Sequence, residues 1–238
     1  MRTWFFASLR GFALLLPVLL VTPVRAQDFA AILAAPDRPE AERALDPARK
    51  PDEVLKFYGV KPGDKVADLM AARGYYTVIL ARVVGANGVV YSVSPTVRKE
   101  LTDRLKDPAY ANVKTVEGKM DAFSLPATTL DFVIINLNYH DLDPQTRAGM
   151  NKLVYAALKP GGVYAIVDHS AKEGSGNEAT KTLHRIDKKL VIQEATEAGF
   201  RLAGEGTMLA RPDDKRDVST IKERNQDDRF VLRLEKPK

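Results

Sequence analysis

The chain contains three histidines, His140, His169 and His184, and each has an aspartate beside it or within one turn: Asp141, Asp168 and Asp187. Imidazole next to carboxylate serves two chemistries. One is proton transfer, with histidine as general base. The other is ligation of a divalent cation, since nitrogen and carboxylate donors suit zinc and similar ions. There is no cysteine, so thiolate nucleophiles and cysteine-ligated zinc are excluded. A second stretch, "VADLMAARGYYT", runs from an apolar segment ending in Asp68-Leu69 through a short loop to a helical pattern. Ligands are often held by a glycine-rich turn at such a junction. Here Gly74 is present, but Met70, Ala72 and Arg73 stand among the loop positions.

These residues need a scaffold, and the hydrophobic pattern supplies one. From residue 51 onward the chain alternates apolar runs with amphipathic ones. "KVADLM", "GVVYSVS", "NVKTVEG", "LDFVIINLN" and "VYAIVDHS" read as strands. "PDEVLKFYGV", "GYYTVILARVVG", "TVRKELTDRLKD", "PQTRAGMNKLVYAALKPGG" and "LHRIDKKLVIQEATEAGF" read as helices, several with proline near the start and glycine at the end. Two further strand-like runs, "RLAGEGTMLA" and "RFVLRLEKP", close the chain with no helix between them. This order predicts an α/β fold with a mainly parallel sheet, helices on both faces, and an antiparallel hairpin at one edge. In such sheets ligands bind beyond the carboxyl ends of the strands. His140 follows the fourth strand, His169 follows the fifth, and His184 opens the next predicted helix, which brings all three to one rim. The Gly/Ser-rich "KEGSGNE" is placed to act as a lid over that rim, and Arg49 and Lys50 to cover it from the N-terminal side.

Residues 1–26 have a different character. Arg2 and Arg10 flank a short apolar run, "GFALLLPVLLV", and "TPVRA" supplies small residues before Gln27. This is the layout of a secretory signal peptide. It predicts cleavage near Ala26–Gln27, a periplasmic or secreted protein, and no membrane span after cleavage. Residues 27–50 read as an N-terminal arm with one short helix, and residues 51–238 as one domain. The net charge of +5 falls to +2 without Arg2, Arg10 and Arg25. No basic stripe with interleaved aromatics remains, so the expected partner is a small molecule and not nucleic acid. The chain carries no signal for its oligomeric state.

The order of elements, "VADLMAARGYYT", and above all "LKPGGVYAIVDHS" resemble the class I S-adenosylmethionine-dependent methyltransferases over residues 50–236. More narrowly, "GYYT", "NYHDL" and "DDRFVLRLEKP" are similar to a group of exported bacterial proteins described as predicted methyltransferases. The resemblance implies a Rossmann-like seven-stranded fold and S-adenosylmethionine as cofactor. It places Asp68, Met70, Ala72, Gly74 and Tyr75 at the cofactor loop, with Met70 and Ala72 where the family has its first two glycines. It places Ser94 where the family has a ribose-binding acid, and Asp121 where an acid reaches the adenine amino group.

Three functions follow. In the first, Asn136 and Tyr139 position an acceptor and His140 removes its proton, with orientation supplying most of the catalysis. In the second, the fold has lost its cofactor and acts as a binding or accessory protein. In the third, His140, His169 and His184 hold a divalent metal for an enzyme of another kind.

Overall fold

A computed structural model describes Met1, residues 28–222 and residues 224–238. The segment read as a signal peptide, Met1 apart, lies outside the described residues, as does Gln27. Seven strands make one sheet: β1 (Lys65–Leu69), β2 (Val89–Ser94), β3 (Val113–Glu117), β4 (Leu130–Asn136), β5 (Leu158–His169), β6 (Arg201–Gly206) and β7 (Arg229–Glu235). Their order is β3-β2-β1-β4-β5-β7-β6. The first five pair in parallel, and β7 lies antiparallel between β5 and β6. The expected Rossmann-like sheet with an antiparallel C-terminal hairpin is therefore the fold of this chain.

The central strands are apolar on both faces because both faces are covered. In β4, Phe132 and Ile134 join the core layer that contains helices α4 (Pro51–Tyr58) and α5 (Tyr75–Val84). Val133 and Ile135 join the opposite layer, under α7 (Pro144–Ala157) and α8 (Lys188–Glu197). Each fully buried aliphatic side chain contributes about 1.5–3 kcal/mol, so the alternation fixes which residues face which layer. The helix after β1 covers one face and the helix after β4 covers the other. A crevice therefore opens between the carboxyl ends of these neighbouring strands.

Three parts differ from the sequence expectation. The arm holds three short helices, α1 (Phe29–Leu33), α2 (Glu40–Arg43) and α3 (Asp46–Arg49), where one was expected. It belongs to the core: Phe29 is buried with α4 and α5, and the buried Arg38 grips Asp46 through two bonds of 2.7 Å. The helix expected from Leu183 begins at Lys188 instead. Asp187 caps it by accepting the Lys189 amide at 2.9 Å, and Ile186 pairs with Ser170. The helix expected to run through Gly162 stops at Ala157, and Leu158 already pairs with Leu130 as the start of β5. Helix α6 (Lys99–Arg104) follows β2. Among the described residues no helix is long and apolar enough to cross a membrane.

Candidate active site

The crevice is a cavity of about 820 Å³, within the range that holds a drug-sized ligand. The loop after β1 forms one wall. Met70 has φ 56°, Ala72 φ 50° and Gly74 φ 86°, so all three positions at which the family would place glycine are left-handed. For Met70 and Ala72 that conformation costs about 1–2 kcal/mol each. At Gly74 a Cβ would lie 2.6 Å from Leu101 Cδ1, so a side chain there would have to displace Leu101 as well as adopt the left-handed backbone. Leu137 and His184, at φ 58° and 53°, also line the cavity. Left-handed non-glycine residues are thus gathered here, as at sites where geometry is held for a purpose.

Asp68 is buried below the loop and accepts a hydrogen bond from Thr77 Oγ1 at 2.7 Å. Burial raises its carboxyl to about 7, against the opposing effects of the Thr77 bonds and the nearby Arg49. Arg73 swings outward to Glu100, at 3.2 Å, with both side chains exposed. Ser94 does not line the cavity; its hydroxyl accepts the Ala72 amide at 3.3 Å. It ties down the loop and cannot serve there as the ribose ligand. Asp121 is exposed, stands against Gly149 of α7, and is also absent from the cavity wall.

The arm supplies what the loop lacks. Arg49 lies over the Tyr75 ring, 4.5 Å from its centroid, and its side chain has no hydrogen bond or ion pair among the described residues. Burial pushes its guanidinium below the ordinary value. Tyr75 in turn donates to Asp46 Oδ1 at 2.6 Å. Glu42 accepts from Arg104 through Oε1 at 2.6 Å, while its buried Oε2 has no protein partner. The buried Tyr76 hydroxyl likewise has none. Unpaired buried polar atoms are costly, and here five of them, on Glu42, Arg49, Tyr76 and Arg104, belong to residues lining one cavity. Lys50 points elsewhere, towards Glu53.

The histidines converge as the topology predicts, but two of the expected roles change. The Tyr139–Asp141 segment is a single 3-10 turn, in which successive side chains point about 120° apart. Tyr139 therefore turns into the core, where it donates to Glu194 and accepts from Asn151, both at 2.8 Å. It does not reach the cavity, so a role in positioning the acceptor is ruled out. His140 does reach the cavity. Its Nδ1 is 2.8 Å from Asp168, and its Nε2 is 3.2 Å from Asp141. Burial opposes charge on this ring, but the two carboxylates outweigh it and lift the imidazole to about 10. An imidazolium has no lone pair for an incoming proton. The two carboxylates thus favour the protonated form of His140, the opposite of the form in which a general base acts.

His169 packs 5.4 Å from the His140 ring, centroid to centroid, with Nδ1 on Asp227. Arg229 holds Asp227 with two bonds of 2.9 Å. Burial opposes ionisation of Asp227, but the His169 and Arg229 bonds together keep its carboxyl well below the ordinary range. His184 sits in the loop before α8, 5.6 Å from the His140 ring. Asn136 lines the cavity as expected. The Gly/Ser loop does not: Asp187 accepts the Gly174 amide at 2.7 Å, and Arg147 binds Asn177. The segment that does cover the rim includes Thr220, Ile221, Arg224 and Asn225, in a charged stretch whose apolar content gave no signal.

Residues 66–162 match a family model described as a methyltransferase domain. The chain is 27% identical over 151 residues to a ubiquinone/menaquinone biosynthesis C-methyltransferase of Teredinibacter turnerae, covering 59% of each chain. It is 30% identical over 143 residues to an uncharacterized methyltransferase, YdaC, of Bacillus subtilis, covering 60% of this chain and 74% of that one. It spans 59% and 51% of the first two curated relatives that it matches. In fold it is similar to a SAM-dependent methyltransferase of Aquifex aeolicus, with a TM-score of 0.61 and 21% identity over 84% of this chain and 98% of that one. It is also similar to a geranyl diphosphate C-methyltransferase of Streptomyces coelicolor, with a TM-score of 0.64 and 12% identity over 87% and 84%.

Proposed function

The chain belongs to the class I S-adenosylmethionine-dependent methyltransferase superfamily, and from that premise we propose that it transfers a methyl group to a small-molecule acceptor, acting outside the cytoplasm. The single observation that carries the cofactor reading is the set of unpaired polar groups from Arg49, Glu42 and Tyr76 around a cavity of suitable size. A zwitterionic amino-acid end needs a cationic donor for its carboxylate, and Arg49 is free to supply one. Ribose hydroxyls need an acceptor, and Glu42 in the cavity wall is the carboxylate we assign to that role in place of Ser94, its side chain turning to present Oε2. The left-handed Met70 and Ala72 hold the loop in the shape that glycines would otherwise reach without strain. When bound, the cofactor supplies an electrophilic methyl group. Around it, Asn136 and the His140 rim orient the acceptor and exclude water from the crevice.

Calorimetric titration of the purified protein with S-adenosylmethionine and S-adenosylhomocysteine tests this reading. Binding of both well below millimolar is expected. No heat from either up to about 1 mM, an affinity of only about 4 kcal/mol, would leave the alternative of a decayed fold with a binding or accessory role. That alternative draws on Met70, Ala72 and Ser94, which depart from the family pattern.

Asp68 adds a pH signature. Its carboxyl is neutral below about 7 and charged above. S-Adenosylmethionine carries a sulfonium charge that S-adenosylhomocysteine lacks, so ionised Asp68 favours the former. The preference for S-adenosylmethionine should grow several-fold as pH rises from about 6 to about 8. Asp68→Asn should flatten that slope; an equal slope in the variant would show that another group is responsible.

Export rests on the N-terminal pattern alone. Trp4 is the only tryptophan, so protein recovered from outside the cytoplasm after processing should have no tryptophan emission. Persistent emission would show that residues 1–26 were retained.

A further inference from the structure

We propose that His140, Asp141 and His184 form a binding site for a first-row divalent cation of the zinc type, with its open positions facing the cavity. One ligand atom from each residue lies within 4.8 Å of the other two. His140 Nε2 is 3.2 Å from Asp141 Oδ1, and His184 Nδ1 is 3.7 Å from the same oxygen. Donors bound at about 2.1 Å to one ion stand roughly 3.0–3.4 Å apart. The first pair already has that spacing, and the second needs to close by only a few tenths of an ångström. At 3.7 Å His184 is beyond hydrogen-bond reach of Asp141. His184 is therefore held near Asp141 by ion-pair proximity and an edge-on ring contact with His140, with no hydrogen bond occupying its Nδ1 among the described residues.

The surroundings match what a cation requires of its ligands. A metal-bound imidazole usually directs its other nitrogen to a carboxylate, which fixes the tautomer and raises basicity. His140 Nδ1 does so with Asp168, which is fully buried and also accepts the backbone amides of His140 and His169, at 2.7 and 2.8 Å. Asp141 is oriented by Asn138, whose side-chain amide donates to its second oxygen at 2.9 Å. His169 adjoins the trio, but its Nδ1 is taken by Asp227. The three protein donors come from two segments brought together at the cavity mouth. That leaves one or more positions for an oxygen donor, such as a hydroxyl or carboxylate on a small molecule in the cavity. The site does not depend on the cofactor reading, since no cofactor-loop residue takes part.

Cobalt(II) is the probe, because nitrogen–oxygen ligation in a low-coordinate site produces visible absorption bands, and zinc competes for the same ligands. Metal-stripped full-length protein is titrated with cobalt(II) and followed by absorbance, then with zinc by calorimetry. The wild type should bind one equivalent with visible bands that zinc abolishes. His184→Asn, which keeps a residue tolerant of the left-handed backbone, should weaken binding at least 100-fold with an unchanged melting point in the absence of metal. Asp168→Asn should weaken it about 10- to 100-fold. No visible bands in the wild type, or equal affinity in the wild type and His184→Asn, overturns the site.

Discussion

Arg147→Met should destabilise the protein by about 3–5 kcal/mol, the largest effect expected of any single substitution discussed, seen as a lower urea midpoint. Arg147 is 1% exposed. It binds both carboxylate oxygens of Glu194, at 2.7 and 2.8 Å, the Leu142 carbonyl at 2.6 Å, and the Asn177 side chain. Removing it leaves the Glu194 carboxylate nearly buried with no cation, which is the costly way to break an ion pair. Pairing it with Glu194→Leu removes the stranded charge, and most of the lost stability should return, since apolar replacements of a whole buried pair are often neutral. A double variant no more stable than the single would show that the cost lies in the Leu142 and Asn177 bonds. The consequence reaches the site: Arg147 holds the carbonyl that ends the Tyr139–Asp141 turn, and that turn aims His140 at the cavity.

Arg49→Met should weaken S-adenosylmethionine and S-adenosylhomocysteine alike, by about 10- to 100-fold, while leaving the unliganded protein at least as stable as wild type. A charged hydrogen bond is worth about 1.5–3 kcal/mol, which sets the affinity loss. The stability expectation has the opposite sign because Arg49 has no partner of its own. Methionine removes a desolvated charge, keeps packing on the Tyr75 ring, and gives up a cation–π contact of about 0.5–2 kcal/mol. Calorimetry and thermal melts on the same samples read both quantities. Reduced stability with unchanged affinity would make Arg49 a structural residue and move the carboxylate contact elsewhere.

The sheet and its order were legible because the signals that specify them are local and repeated. "LDFVIINLN" is too apolar for an edge, and "LKPGG" marks the passage from α7 into β5. The rim was legible too, since alternating strands and helices leave few places for His140 and His169. Element ends were less so. His184 was expected to open a helix, but Asp187 provides a better cap and Ile186 is drawn into pairing with Ser170.

Side-chain roles were the least legible. Tyr139 and His140 are adjacent in sequence, and nothing local decides which enters the cavity; a 3-10 turn sends one each way. Of the arm, the sequence points to Arg49 and Lys50 as covering the rim; Arg49 does stand in the cavity wall, but so does Glu42, which no sequence signal singles out. Their contacts there are with α5 and α6, tens of residues away, and no periodicity encodes that meeting. Composition, order and hydrophobic alternation thus determine the fold and the end of the sheet at which chemistry occurs, because burial is additive along each element. Which carboxylate faces which imidazole, and which polar atoms are left unpaired, was decided only by tertiary packing, because those interactions depend on ångström distances between segments remote in sequence.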